Sequence, residues 1–192
     1  MPAICKHSDP QIGLRFLRTC AGFCKLVYST RVVAPHAHEA ELGHFDALVR
    51  QAFTDLTGLR PSDAEWEQAT RGFDTGGLGL RSTAVHGVGA YIASRASSRD
   101  RCKEIDDHFI WELDDASSAL ARAHAALDVV LGPDHLMSRD VLLGAKQKSI
   151  SGQIDKASHN RQFDAARVSQ RANLNSECLP GASGFLSAVL HD

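Results

Sequence analysis

The chain has 192 residues, of which 43% are hydrophobic, 23% charged and 6% aromatic, and its formal net charge is −2. This length is sufficient for one or two domains with a buried core, and the low aromatic content favours helices over sheets. No apolar run is long enough for a signal peptide or a bilayer span, so we expect neither secretion nor membrane insertion. The five cysteines form no regular framework, which predicts a reducing intracellular compartment, cytoplasmic or nuclear.

Start and stop signals divide the sequence into a succession of helices. Asp9 before Pro10 is an N-cap pattern that opens the first helix. Ser62 and Glu65 form a capping box for a short helix. Together with hydrophobic periodicity, these signals predict helices over residues 10–33, 35–58, 62–72, from 82 or 83, 101–113, 116–132, from 138, and 172–178. We therefore expect an all-α multi-helix bundle with a glycine-rich connector, and at most a short β element near 77–81.

The stretch DTGGLGLRSTAVHGVGAYIAS contains five glycines. It lacks the third glycine of a dinucleotide fingerprint and the Gly-Lys-Ser/Thr of a Walker loop, which argues against phosphate binding. We interpret Gly76, Gly77 and Gly79 as a structural turn that connects two helices. Gly87 and Gly89 lie inside a helical pattern, where glycine costs up to about 1 kcal/mol relative to alanine. They therefore predict the close approach of another element.

The clusters of histidine and acidic residues do not match the spacing of metal or catalytic sites. The segment HAHEAELGH lacks the HExxH spacing of zinc enzymes, and adjacent carboxylates on a helix diverge by about 100°. A solvated helix start and a solvated acidic face are the simpler interpretations. We expect no metal, no cofactor and no catalytic centre. The residues concerned are His36, His38, Glu41, His44, Asp106, Asp107, Asp114 and Asp115.

Charge is segregated along the chain. Residues 1–34 hold five bases and one acid, residues 104–135 hold one base and eight acids, and residues 136–172 hold seven bases and three acids. Arginine outnumbers lysine fifteen to six, which suits planar contacts to phosphate or carboxylate. This asymmetry permits a nucleic-acid-binding face.

The first helix carries a basic stripe. On one continuous helix, a rotation of about 100° per residue places apolar side chains around most of the circumference. The remaining narrow stripe would track a phosphate backbone, with its central glycine allowing close approach. The alternative is an ordinary solvated stripe on a buried helix. The stripe consists of Arg15, Arg18, Gly22, Lys25 and Ser29.

Four stretches resemble one region of a polyprotein: DPQIGLRFLRTCAGFCKLVYSTRVVAP, FDALVRQAFTDLTGL, WEQATRGFDTGGLGLRS and PGASGFLSAV. They are similar to the segment just C-terminal to the catalytic core in reverse transcriptases of non-LTR retrotransposons. GGLGLRS is the most specific piece, because many such polymerases carry a Gly-Gly-Leu-Gly turn after the thumb. The resemblance implies a thumb-like region over 9–73 and a helical connector over 74–192, with one continuous domain as the alternative. It also implies nucleic-acid contact at Arg15, Arg18 and Lys25.

The same resemblance implies a fragment without polymerase activity of its own. These polymerases act through an aromatic-x-Asp-Asp hairpin, whereas the residues two before Asp106 and Asp114 are Glu104 and Glu112. The palm and fingers would lie upstream of the first residue, and the Cys/His-rich tail would lie beyond the last. The expected partners are RNA or an RNA–DNA duplex, bound weakly and without sequence preference, and the missing polymerase palm. The alternative function is a helical protein-interaction or scaffold domain that does not bind nucleic acid.

Overall fold

The computed structural model describes residues 9–111 and 115–184. Within these ranges the chain forms helices and no β-strand, so the all-α expectation is confirmed. The α-helices are α1 (Pro10–Phe16), α2 (Val27–Val32), α3 (Glu39–Thr57), α4 (Asp63–Thr70), α5 (Thr83–Ile105), α6 (Ala119–Leu131), α7 (Arg139–Gly144), α8 (Gln147–Ala165) and α9 (Val168–Glu177). Turns of 3₁₀-helix occur at Phe23–Lys25, Pro35–Ala37, Phe73–Thr75 and Pro133–His135, and a π-helical turn occurs at Leu17–Ala21. None of the helices in the described ranges is both long enough and apolar enough to cross a bilayer.

The described residues divide into two compact units, each made of several segments of the chain. Segments that are distant in sequence pack together within each unit, and the start and stop signals of single helices do not indicate such packing. The first unit contains the residues up to Lys25, His44–Ser82 and the residues from Ser158; the second unit contains Leu26–Gly43 and Thr83–Ala157.

The first helix ends well before residue 33. α1 stops at Phe16, a π-helical turn follows, and Gly22 leaves the helical region with φ −92° and ψ −145°. A Cβ at Gly22 would lie 3.0 Å from the carbonyl oxygen of Leu17, so the break favours glycine. The Thr19 hydroxyl donates to the Arg15 carbonyl at 2.7 Å, and such bonds bend helices. The continuous first helix expected from the sequence is therefore wrong.

The core of the first unit includes part of the glycine-rich connector. Gly13 of α1 packs against the side chain of Leu56 on α3. The rings of Phe53 and Trp66 meet with their centroids 5.6 Å apart, which brings α3 and α4 together. Leu80, which follows the glycine turn, is buried in the same cluster, so the connector is anchored in the core. The buried residues of this cluster are Leu17, Val49, Ala52, Phe53 and Leu80.

The second unit is built around the N-terminal half of α5. A Cβ at Gly89 would lie 2.8 Å from Cγ2 of Ile150 on α8, and a Cβ at Gly87 would lie 3.2 Å from Cγ2 of Thr30 on α2. The predicted close approach of other elements at these two glycines is therefore confirmed. Small residues let α2 and α8 approach the backbone of α5 closely.

The core of the second unit also holds a polar pair. His86 of α5 and Asp155 of α8 have side chains that are only 3% and 5% exposed, and Nε2 of the imidazole lies 3.4 Å from Oδ1 of the carboxylate. Pairing offsets part of the cost of removing such groups from water. The pair lies in a unit whose apolar core includes Tyr91, Ile92, Trp111, Leu120, Leu127, Leu131, Leu142, Ile150 and Ile154.

Helix boundaries in the second unit match the sequence at some ends and not at others. The Ser118 hydroxyl caps α6, and α6 is closed at Gly132, the end that the sequence predicted. α5 runs on to Ile105, and the side chain of Asp106 then accepts a hydrogen bond from the amide two residues later at 2.9 Å. The expected helix over 101–113 is therefore wrong at 106–111. The single long helix expected from residue 138 is also wrong, because Ala145 is extended and separates α7 from α8.

Candidate nucleic-acid interface

The glycine turn folds back onto the end of α4. The amides of Leu78 and Leu80 donate to the carbonyl of Ala69 at 3.1 and 3.3 Å. The amide of Gly79 donates to the carbonyl of Arg71 at 2.8 Å. These amides donate to carbonyl groups at the C-terminal end of α4, so the turn pairs with the end of a helix and not with a strand. Residues 77–81 therefore form no strand, which lies within the all-α prediction that allowed at most a short β element there.

Two properties of the turn require glycine. Gly76 and Gly79 have φ angles of +71° and +72°, which L-residues with a side chain rarely adopt. Gly77 lies against the backbone of Arg71, so closely that a Cβ would overlap its carbonyl group. The glycines thus serve the path of the backbone at this turn.

Arg18 packs against this turn. Its guanidinium carbon lies 4.7 Å from the centroid of the Phe73 ring, and its Cδ would lie 3.0 Å from a Cβ at Gly79. Burial, and secondarily the nearby guanidinium of Arg15, hold the pKa of Arg18 below its usual value. The structure therefore joins two features that the sequence treats separately, the basic stripe and the glycine turn.

Arg15 and Lys25 have exposed side chains. Lys25 does not share one continuous helical stripe with Arg15 and Arg18, because the helix breaks at Gly22 between them. The stripe geometry is therefore wrong, whereas the contact of these side chains with nucleic acid stays a prediction. The segment Asp9–Lys25 has a local excess of positive charge, because it holds three bases and one acid, Asp9, which caps α1 by accepting from the amide of Gln11 at 2.8 Å.

A buried arginine beside the turn was not singled out from the sequence. Arg71 is 2% exposed, and its guanidinium donates to Oε1 of Gln162 at 2.6 Å. Nε2 of Gln162 donates to Oε1 of Gln68 at 3.1 Å, and Nε2 of Gln68 donates to Oε2 of Glu177 at 2.6 Å. This network connects α4, α8 and α9. Arg71 and Gln162 are 91 residues apart, and no local pattern indicates such a contact.

The acidic and histidine-rich segments form local structure. Among the residues that the structure describes, no group of three or more His, Cys, Asp or Glu side chains is placed to hold a metal ion. Hydrogen bonds from the Ser117 side chain and backbone lower the pKa of the Asp115 carboxyl, so this carboxylate stabilises a turn. Asp114 lies outside the described residues.

Comparisons of the chain with protein-family models, with curated proteins and with solved structures return no significant match. The resemblance to reverse transcriptases therefore depends on the sequence stretches alone. One of these stretches, PGASGFLSAV, lies outside the described residues from Phe185 onward.

Proposed function

We propose that the chain is a non-catalytic module of a retroelement reverse transcriptase, an RNA-directed DNA polymerase, and that it contacts template–primer nucleic acid. Its first segment, Asp9–Lys25, would supply the contact. The resemblance of the thumb-like and connector stretches supports the class of protein. The observation that carries the proposal is the placement of Arg15 and Lys25, whose cationic side chains are both exposed.

The electrostatics of the segment supports this proposal. Arg15 is close enough to Arg18 to contribute to the lowered pKa of Arg18, which indicates a local positive potential. A polyanion relieves the repulsion between two neighbouring cations, so phosphate binding is favourable there. Arg18 itself supports the turn through Phe73, and Arg15 and Lys25 are the side chains that can reach a phosphate.

Binding of this kind is independent of sequence and weakens steeply with salt, because condensed counterions are released from the nucleic acid. Each phosphate contact contributes about −0.7 to −0.9 to the slope of log K against log salt. We expect RNA or an RNA–DNA duplex as the ligand. Two contacts from one short segment give weak affinity.

The test is a double charge reversal, Arg15→Glu with Lys25→Glu, measured by fluorescence anisotropy with an RNA–DNA duplex between about 50 and about 200 mM salt. The slope should decrease in magnitude by about 2. The matched control reverses two other exposed bases, Arg60→Glu with Lys156→Glu, and should leave the slope unchanged. An equal loss in the control variant would refute the assigned contact.

A second candidate function, protein interaction, also has an observation in its favour. Ile12 and Phe16 lie one turn apart on α1 and are 42% and 45% exposed. Such an apolar pair suits a helix-binding partner or a second copy of the chain. Light scattering should then show assembly that Ile12→Ser with Phe16→Ser abolishes, and the Arg15 and Lys25 reversals should not affect it. A monomer at all concentrations would argue against self-association through this face.

A further inference from the structure

The second unit contains a cavity of about 500 Å³ whose charged lining is entirely basic. Cavities of about 570 and 810 Å³ in the first unit have a different character, because Glu65 and Glu177 line both of them. We call the basic cavity the α2–α5–α8 groove. It is lined by Arg31, Ala93, Ser94, Ser97, Leu143, Gly144, Ala145, Lys146 and Gln147.

Arg31 is held in place at one wall of the α2–α5–α8 groove. Its Nε and NH2 groups donate to Oε1 of Gln147 at 3.0 and 2.6 Å. Both bonds go to a neutral amide, so the guanidinium is oriented without being neutralised. Arginine has five N–H donors, and these two bonds engage two of its three nitrogens. A fixed, charged donor of this kind costs little entropy when an anion binds.

The remaining walls of the groove supply a second cation and hydroxyl groups. Lys146 immediately precedes α8 and is exposed. Ser94 and Ser97 line the groove from α5, and the Ser97 hydroxyl donates to the Ser94 carbonyl at 2.9 Å. Because that bond uses the single O–H of Ser97, the donors that match the acceptor oxygens of a phosphate group are the two cations and the Ser94 hydroxyl.

The lining contains no aromatic ring on which a base could stack, because its apolar members are alanine, leucine and glycine. Recognition there would concern the phosphate and not the base. A cavity of about 500 Å³ lies within the usual range for small-ligand sites, and it accommodates one phosphate with its adjoining sugars rather than a folded partner.

We propose that the α2–α5–α8 groove binds a backbone phosphate of a nucleic-acid strand through Arg31 and Lys146. This inference deepens the proposed function by adding a contact in the second unit. It concerns residues other than Arg15 and Lys25, so the two proposals can fail separately.

The first experiment measures binding of a short single-stranded RNA to the full-length chain as a function of salt. Lys146→Glu should reduce the magnitude of the log–log slope by about 1 and weaken binding about five- to tenfold at about 0.1 M salt. Lys146→Gln should also reduce the slope and the affinity, but by less. Lys156→Glu, an equal charge reversal at an exposed position of α8 outside the groove, is the matched control and should change the slope little. Equal losses for Lys146→Glu and Lys156→Glu would overturn the proposal.

The second experiment locates the ligand by NMR on the isotope-labelled full chain. Added RNA should shift the amide signals of Ser94, Ser97 and Gln147, and the shifts should disappear in Lys146→Glu. They should persist in the variant with Arg15 and Lys25 reversed, whatever that variant does to overall affinity. RNA that leaves these signals unmoved refutes the site. Equal shifts from inorganic phosphate or a glutamate-rich peptide at the RNA concentration also overturn the proposal, because the groove would then be a general anion site.

Discussion

Replacing Gly89 by alanine tests how closely α8 approaches α5. The added Cβ would lie 2.8 Å from Cγ2 and 3.4 Å from Cβ of Ile150, and 3.6 Å from Cδ1 of Ile154. Ile150 is fully buried, and its Cγ2 belongs to a β-branched side chain with restricted rotation. Rotation of the Ile150 side chain therefore cannot make room for the added methyl group.

Two opposing effects set the magnitude for Gly89→Ala. Alanine inside a helix is favoured over glycine by about 0.5–1 kcal/mol, whereas overpacking a dense core costs about 1–3 kcal/mol. We expect Gly89→Ala to lower the free energy of unfolding by about 1–2 kcal/mol. Gly152 on α8 offers a matched control, because a Cβ there meets nothing within 4 Å. Gly152→Ala should stabilise the protein by about 0.5–1 kcal/mol, so the two variants differ in sign.

Urea unfolding followed by circular dichroism measures both changes, and thermal unfolding should shift by about 2–4 °C per kcal/mol for a chain of this size. Ile150→Ala alone should cost about 2–5 kcal/mol. Combined with Gly89→Ala, it should cost less than the sum, by about 0.5–3 kcal/mol, because the clash is removed. If Gly89→Ala stabilises as much as Gly152→Ala does, the close helix contact is wrong.

The remaining predictions concern the turn, a capping box and a thiol. Gly77→Ala should destabilise by about 3 kcal/mol or more in urea unfolding, because its Cβ would overlap the Arg71 backbone rather than a movable side chain. Hydrogen bonds from Ser62 hold the pKa of the Glu65 carboxyl below its usual value, so its stabilising effect is present above about pH 4.5 and is lost on acidification. Glu65→Gln should then lose less stability than the natural chain between neutral and acidic pH. Burial raises the pKa of the Cys178 thiol, so stability should fall as pH rises above about 9, and Cys178→Ser should flatten this decline in unfolding midpoints.

Local signals in the sequence predicted some helix ends correctly. The capping box of α4 is formed by hydrogen bonds between Ser62 and Glu65, and the Asp9 cap of α1 is likewise present. These features depend on residues two or three apart, so a single sequence contains the required information. The glycine pattern of α5 was also informative, because glycine inside a helix is unfavourable without a packing reason.

Longer-range features could not be predicted. A lone glycine is tolerated in helices, so Gly22 gave no reason to expect a break there. The π-helical turn just before the break places Leu17 in the core of the first unit, and such tertiary packing is not visible in a local pattern. The contact of Arg18 with Phe73 and the network of Arg71 join residues that are far apart in sequence. Arg15 and Lys25 are exposed, as their charge indicates. The prediction that they share one helical stripe required a regular helix, which the chain does not form.

The buried His86–Asp155 pair has a consequence for how α5 and α8 align. Ile150 of α8 packs against Gly89 of α5, and the residue one turn further along α5, Ala93, is also small, so packing alone offers little resistance to sliding by one turn. A shift of one turn would separate the imidazole from the carboxylate and leave an ionisable group buried without its partner. The free energy of folding would become less favourable by about 3–5 kcal/mol. The pair therefore specifies the register of α5 against α8. It does so even if replacing both partners by apolar residues would give a protein of equal or greater stability.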